Sequence, residues 1–252
     1  MDLRLTAAGL IVGTIAGMSG IGGSALLAPI LILVFGVNAS IAIGTDLIYS
    51  VPMKALAAVT HWRQRTLDLR VVRLLCAGGI PGAILGLVAF AFLRTHVRAA
   101  ELEVLLRHAI GIVILCSAAA ALATQLLRRR RETGTEPGPA RVIAIGAAVG
   151  FLVAMTSIGS GSITLPLLML AVPAISLRAL IGSEIVFAAL MIPVAAAGHV
   201  AFSNVDWPMA LSLTLGAVPG AYLGARLSLR ISEQALRPVV IGLLAIAGAK
   251  LL

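Results

Sequence analysis

Gly44-Thr45-Asp46-Leu47-Ile48-Tyr49-Ser50 and Gly182-Ser183-Glu184-Ile185-Val186-Phe187-Ala188 decide the architecture, because the second stretch repeats the first at a distance of 138 residues (182 − 44). At that shift His61 meets His199, Asp68 meets Asp206, Gly78 meets Gly216, and Pro81-Gly82-Ala83 meets Pro219-Gly220-Ala221. Upstream, a shift of 137 pairs Gly13 with Gly150, Met18 with Met155, Gly22 with Gly159 and Pro29 with Pro166. Low-complexity apolar sequence can imitate self-similarity, but Gly, Pro, His and Asp holding register together point to a real duplication.

What is duplicated is a set of membrane segments. The chain is 60% hydrophobic and 12% charged, with a mean hydropathy of +1.08, about half the charge of a typical soluble domain. Apolar stretches near the length that crosses a bilayer recur throughout. They are apolar on all sides and do not alternate as barrel strands do, so helices satisfy the backbone here. The net charge of +9 sits in short loops with few aromatics, a positive-inside pattern and not a nucleic-acid surface. Cys76 and Cys116 lie alone in apolar runs and read as core residues, neither a disulfide framework nor a metal site. No cofactor is implied. The N-terminus reads as mature structure without a cleavage site.

Each copy is expected to hold two short apolar segments around a Gly/Ser-rich break, then three longer helices. The segments run roughly over 5–19, 24–36, 41–60, 74–93 and 102–127, then 141–156, 162–173, 178–198, 208–227 and 234–252. The organisation is a first repeat over 1–127, an Arg-rich linker over 128–140, and a second repeat over 141–252. Loop 61–73 holds Arg63, Arg65, Arg70 and Arg73, whereas loop 199–207 holds no Lys or Arg. Placing 61–73, the linker and 226–237 in the cytoplasm satisfies every such comparison and puts both termini outside. With five segments per copy, the two repeats then have inverted topology.

The breaks are the first candidate site. Gly17-Met18-Ser19-Gly20-Ile21-Gly22-Gly23-Ser24 in copy one answers Met155-Thr156-Ser157-Ile158-Gly159-Ser160-Gly161-Ser162 in copy two. Interrupting a membrane helix frees backbone N–H groups at the start of the next half-helix, which with the helix dipole favour an anion. Ser19, Gly22, Gly23, Ser24, Ser160, Gly161 and Ser162 are therefore the expected substrate ligands, with Lys54 attracting the anion. The competing reading is close helix packing through small residues. Asp46 and Glu184 are the expected coupling groups for H+ (or Na+), since an acid within a membrane helix needs a partner or a purpose. The alternative places both within about a turn of a helix start, stabilised by orphan N–H groups. Lys54, eight residues after Asp46 (54 − 46), falls on the same face as a possible partner. His61 and His199 end matching helices, as proton relays or as favourable helix C-terminal residues. Asp68 and Asp206 are expected to cap the helices that follow.

These motifs together resemble the sulfite exporter TauE/SafE family of membrane transporters, over nearly the whole chain. The resemblance rests on Gly17 to Ser24 with Pro29, Gly44-Thr45-Asp46 and Gly78 to Gly86, with their echoes at Gly159 to Pro166, Gly182-Ser183-Glu184 and Gly216 to Gly224. It implies passage of sulfite, thiosulfate, sulfonates such as sulfoacetate, or related organic acids across a bacterial-type inner membrane, and no enzymatic activity. It fixes neither direction nor oligomeric state.

Two rivals belong to other classes. Gly17-Met18-Ser19-Gly20 matches the Gly-x-Ser-Gly string of intramembrane serine proteases. Such an enzyme needs a histidine within reach of its serine, and a single catalytic site does not explain a duplicated break. A non-transporting assembly subunit would explain the short loops but not paired acids. No Walker-type loop is present, so an ion or substrate gradient, or a partner protein, must supply the energy.

Overall fold

The computed structural model describes residues 2–19, 24–127, 138–172, 174–227 and 233–252. These residues form ten α-helices and no strand: α1 (Leu3–Ser19), α2 (Ser24–Leu33), α3 (Ala39–Arg63), α4 (Leu69–His96), α5 (Ala99–Leu127), α6 (Pro139–Thr156), α7 (Thr164–Ala171), α8 (Leu177–Ala201), α9 (Trp207–Leu227) and α10 (Glu233–Leu251). Each of the ten expected segments has its helix. Five helices, α3, α4, α5, α6 and α8, are long and apolar enough to cross a bilayer. Ile84, Leu85, Val88 and Phe92 form an exposed stripe on α4, which suits a helix bathed in acyl chains. The chain is an all-α, polytopic membrane bundle. Most of the linker (128–137), residues 228–232 and Pro173 lie outside the described residues.

Local chemistry sets the helix ends. Asp68 accepts hydrogen bonds from the backbone N–H groups of Arg70 and Val71, so α4 starts at Leu69. That is five residues before the expected apolar start at 74, and it draws Arg70 and Arg73 out of the loop into the first turns of the helix. Asp206 accepts from the Met209 N–H in the same way at the start of α9. The C-termini of α3 and α8 match in finer detail. Thr66 N–H returns to His61 C=O and Arg65 N–H to Trp62 C=O; Asn204 N–H returns to His199 C=O and Ser203 N–H to Val200 C=O. Arg65 (φ 51°) and Ser203 (φ 56°) hold the left-handed position that closes this Schellman motif, without a glycine.

Helices from the two copies interleave. α1 packs on α9, and α4, the counterpart of α9, packs on α6, the counterpart of α1. Both pairs run parallel with their backbones touching. A Cβ on Gly9, Gly13 or Gly17 would fall 2.2–2.5 Å from the carbonyl oxygens of Leu213, Ala217 and Ala221 respectively. On Gly78 and Gly82 it would fall 1.9 and 2.2 Å from those of Ile143 and Ala147. These glycines recur every four residues, the small-xxx-small geometry that lets membrane helices touch. Two further pairs of counterparts pack on each other, α3 on α8 and α5 on α10, whereas α2 packs on α10 and α7 on α5. Gly44, near the start of α3, meets Asn204 beyond the end of α8, and Gly182, near the start of α8, meets Thr66 beyond the end of α3. α3 and α8 are therefore antiparallel. The same contacts show how the motif works: Thr45 Oγ1 accepts from Asp206 N–H at 3.1 Å and Ser183 Oγ from Asp68 N–H at 2.8 Å, so each copy's hydroxyl holds the loop of the other.

Candidate functional site

Asp46 and Glu184 stand seven residues into α3 and α8 (46 − 39 and 184 − 177), about 10 Å along each axis. The reading that put them within a turn of a helix start, held by orphan N–H groups, is corrected by that depth, because only the first four N–H groups of a helix are free. Both residues are buried. They are partnered differently.

Asp46 faces the second break. Ser157 closes α6 in the left-handed conformation (φ 63°), its N–H returning to Val153 C=O at 2.7 Å. This geometry turns the Ser157 hydroxyl across to α3, where it donates to Asp46 Oδ2. Asp46 Oδ1 is buried and has no partner among the described residues. Beyond Ser157, Gly159 takes φ 121°, open only to glycine without strain. Thr164 Oγ1 then donates to Gly159 C=O at 2.9 Å as α7 begins. Between them every residue is buried, and no partner among the described residues takes the N–H of Ser160, Gly161 or Ser162. Ser160 Oγ is likewise buried, with no partner among the described residues. Ser162 differs from its expected role as a free donor, since its hydroxyl donates to Ser117 Oγ on α5 at 3.0 Å. The first break cannot be compared: Gly20 to Gly23, including Gly22 and Gly23, lie outside the described residues, as do the side chains of Ser19 and Ser24.

Glu184 faces Lys54. The Lys54 Nζ lies 3.1 Å from Glu184 Oε1, and both groups are withdrawn from the surface. Lys54 thus pairs with the acid of the other copy and not with Asp46. No other Lys or Arg among the described residues is buried. The position equivalent to Lys54 is Ile192 (54 + 138), so this charge has no symmetric twin.

The two histidines lie at opposite ends of the α3/α8 pair. Half-buried His61 shares a 2.8 Å hydrogen bond between Nδ1 and Thr66 Oγ1. His199 is fully buried, edge-on to Phe90 with ring centroids 4.7 Å apart, and its Nε2 lies 2.9 Å from Ala154 C=O. A carbonyl only accepts, so Nε2 carries the hydrogen; Nδ1 has no partner among the described residues. No group of three His, Cys, Asp or Glu residues suited to a metal ion occurs among the described residues.

Ser157 and Ser117 escaped the reading of the sequence as individual ligands. Ser117 is an isolated hydroxyl in an apolar run, and nothing local marks it. Ser157 had a local signal in its place at the end of α6 just before the glycine, where a left-handed residue is expected.

The profile of the family described as sulfite exporter TauE/SafE matches residues 5–251. The chain belongs to the TauE/SafE family. Among relatives of this TauE/SafE chain, a "probable membrane transporter protein", YjnA, of Bacillus subtilis (strain 168) is 34% identical over the full length of both chains. A "probable membrane transporter protein" of Xylella fastidiosa (strain 9a5c) is 31% identical, covering 96% of this chain and 90% of the relative. YunE of Bacillus subtilis, described in the same words, is 25% identical over 91% of this chain and 88% of its own. No solved structure matches. Family membership and the apolar helices make this TauE/SafE protein a multi-pass membrane transporter.

Proposed function

We propose that the protein is an ion-coupled carrier of a small anion, built as two inverted repeats with the substrate held at the second break. The unpartnered donors of that break carry this reading. Ser160, Gly161 and Ser162 are buried at the start of α7, and their N–H groups and the Ser160 hydroxyl have no partner among the described residues. Buried polar groups are normally paired, and donors gathered at a helix N-terminus suit an anion. The first break, with Ser19, Gly22, Gly23 and Ser24, completes the site from the other copy, and Lys54 supplies its positive charge. Family membership supports a sulfur-containing anion: sulfite, thiosulfate, a sulfonate such as sulfoacetate, or a related organic acid. Asp46 and Glu184 carry the coupling ion, H+ or Na+, and His61 and His199 relay protons towards the two faces. The antiparallel course of α3 and α8 supports the inverted arrangement.

The test is flux of sulfite, thiosulfate and sulfoacetate in proteoliposomes, with and without a pH gradient. The wild type should show gradient-driven flux. Asp46→Asn and Glu184→Gln should retain anion exchange but lose the response to the gradient. Absence of wild-type flux for every sulfur anion at every pH would overturn the reading in favour of an assembly subunit.

A further inference from the structure

The two half-sites share a backbone pattern but not a charge pattern. Asp46 has one hydroxyl donor, Ser157, and no cation, whereas Glu184 has the single buried cation among the described residues, Lys54. The pair stands within a helical bundle surrounded by lipid, where each uncompensated charge costs several kcal/mol. As it stands the pair is neutral. An anion that reaches Lys54 alone would leave two negative charges against one positive. If a proton arrives on Glu184 at the same time, the site stays neutral and the Lys54 ammonium simply changes partner. For a dianion one negative charge remains on the bound anion.

We propose that Glu184 stands in for the substrate in the empty carrier: it occupies Lys54 until an anion displaces it, and it takes up one proton for each anion bound. The inference rests on the anion-carrier reading and assigns the proton taken up on binding to Glu184, leaving Asp46 to load its coupling ion in the crossing step. The exchange balances. The carboxylate gains H+ and becomes a neutral carboxyl, the ammonium keeps its three hydrogens, and release of the anion on the other face returns the proton. Other ionisable groups stand around Glu184. α3 brings Asp46, buried Tyr49 and, at the end that meets the start of α8, half-buried His61 and exposed Arg63; partly buried Asp68, whose N–H reaches Ser183, caps α4 beside them; α6 brings Arg141 and α4 brings Arg70 and Arg73, all exposed, with Cys76 half-buried and Arg94 and His96 at the other end; α7 brings none; α8 itself adds exposed Arg178 and the remote His199.

Thiosulfate is the suitable probe, because it holds no proton of its own near neutral pH. Its binding to the purified full chain is measured by calorimetry in two buffers of different ionisation enthalpy, which counts the protons taken up. The wild type should take up one proton per thiosulfate, with affinity falling tenfold per pH unit wherever that proton is linked. Glu184→Gln should still bind thiosulfate, with no proton uptake and no pH dependence. Asp46→Asn should keep the one-proton uptake. Lys54→Met should lose at least about tenfold in affinity, as expected for removing a charged hydrogen-bond partner. Lys54→Met/Glu184→Gln, which leaves no buried charge unpaired, should fold and show the same loss, and Lys54→Arg should restore part of it. Proton uptake that persists in Glu184→Gln, or wild-type affinity in the folded double variant, would overturn the exchange while leaving the carrier intact. Failure of the wild type to bind thiosulfate, sulfite and sulfoacetate alike would overturn the carrier reading, and the exchange with it.

Discussion

Asp46 holds its place through one hydroxyl. Ser157→Ala removes the donor on Oδ2 while Oδ1 has none among the described residues, so neither oxygen of a buried carboxyl would keep a donor among them. A buried polar group stripped of its partner costs about 1–3 kcal/mol, and Ser157→Ala should lower the thermal midpoint in detergent accordingly. Asp46→Asn keeps an oxygen that can accept from Ser157 and should unfold close to the wild type, even though the flux assay expects it to lose its gradient response. A Ser157→Ala protein with an unchanged midpoint would mean that this hydrogen bond contributes nothing. The sequence marks the acid and not its partner for a physical reason. An acid inside an apolar run is conspicuous because burying it is costly. The hydroxyl that stabilises it comes from another helix, 111 residues away, and no local periodicity records such a pairing.

Elements are joined by two devices that the repeat doubles. The first is the hydroxyl of the Gly-Thr-Asp and Gly-Ser-Glu motifs, which takes the N–H of the capping aspartate in the other copy. Thr45→Val and Ser183→Ala should each leave a partly buried N–H unsatisfied, at about 1–3 kcal/mol. The sites share no partner, so the double variant should lose the sum; denaturant titration of the three variants checks this. The second device is the glycine ridge. A methyl on Gly150 would fall 2.0 Å from Gly79 C=O, backbone against backbone, whereas one on Gly242 meets nothing within 4 Å. Gly150→Ala must push α6 off α4, at the 1–3 kcal/mol or more of an overpacked core, while Gly242→Ala should be neutral or slightly stabilising by helix propensity. A fall in midpoint for the first and none for the second is the expected pair of results. The glycines were legible as a repeat because their spacing survives in both copies. Their partners were not, because α1 passes over α4, its own copy's counterpart of α9, to pack on α9 itself. A linear sequence shows that two units match without showing that they exchange helices. The early start of α4 was missed for a related reason: hydropathy locates the apolar run, but the helix begins where Asp68 caps it.

At the scale of the whole molecule, the direction of the helices and the placement of charge are independent arguments for one topology. The antiparallel pairing of α3 with α8 sends their C-terminal ends to opposite sides of the bundle. The end of α3, the turn after it and the start of α4 carry Arg63, Arg65, Arg70 and Arg73, and the stretch after α8 carries no Lys or Arg through Trp207; positive-inside bias favours the first in the cytoplasm and the second outside, which is the orientation proposed. The proposed carrier, which must open to each side in turn, would gain from this arrangement, because a repeat and its inverted copy can exchange conformations and convert one open state into the other. Gln64 and Ser203 are exposed at these two ends and make the test direct. In a background with Cys76 and Cys116 replaced, a membrane-impermeant thiol reagent applied to intact cells should label Ser203→Cys and spare Gln64→Cys. Opening the cells should expose Gln64→Cys as well. Labelling of both from one side would mean that α3 and α8 do not each cross the bilayer in opposite senses, and the inverted-repeat carrier would have to be abandoned whatever anion it moves.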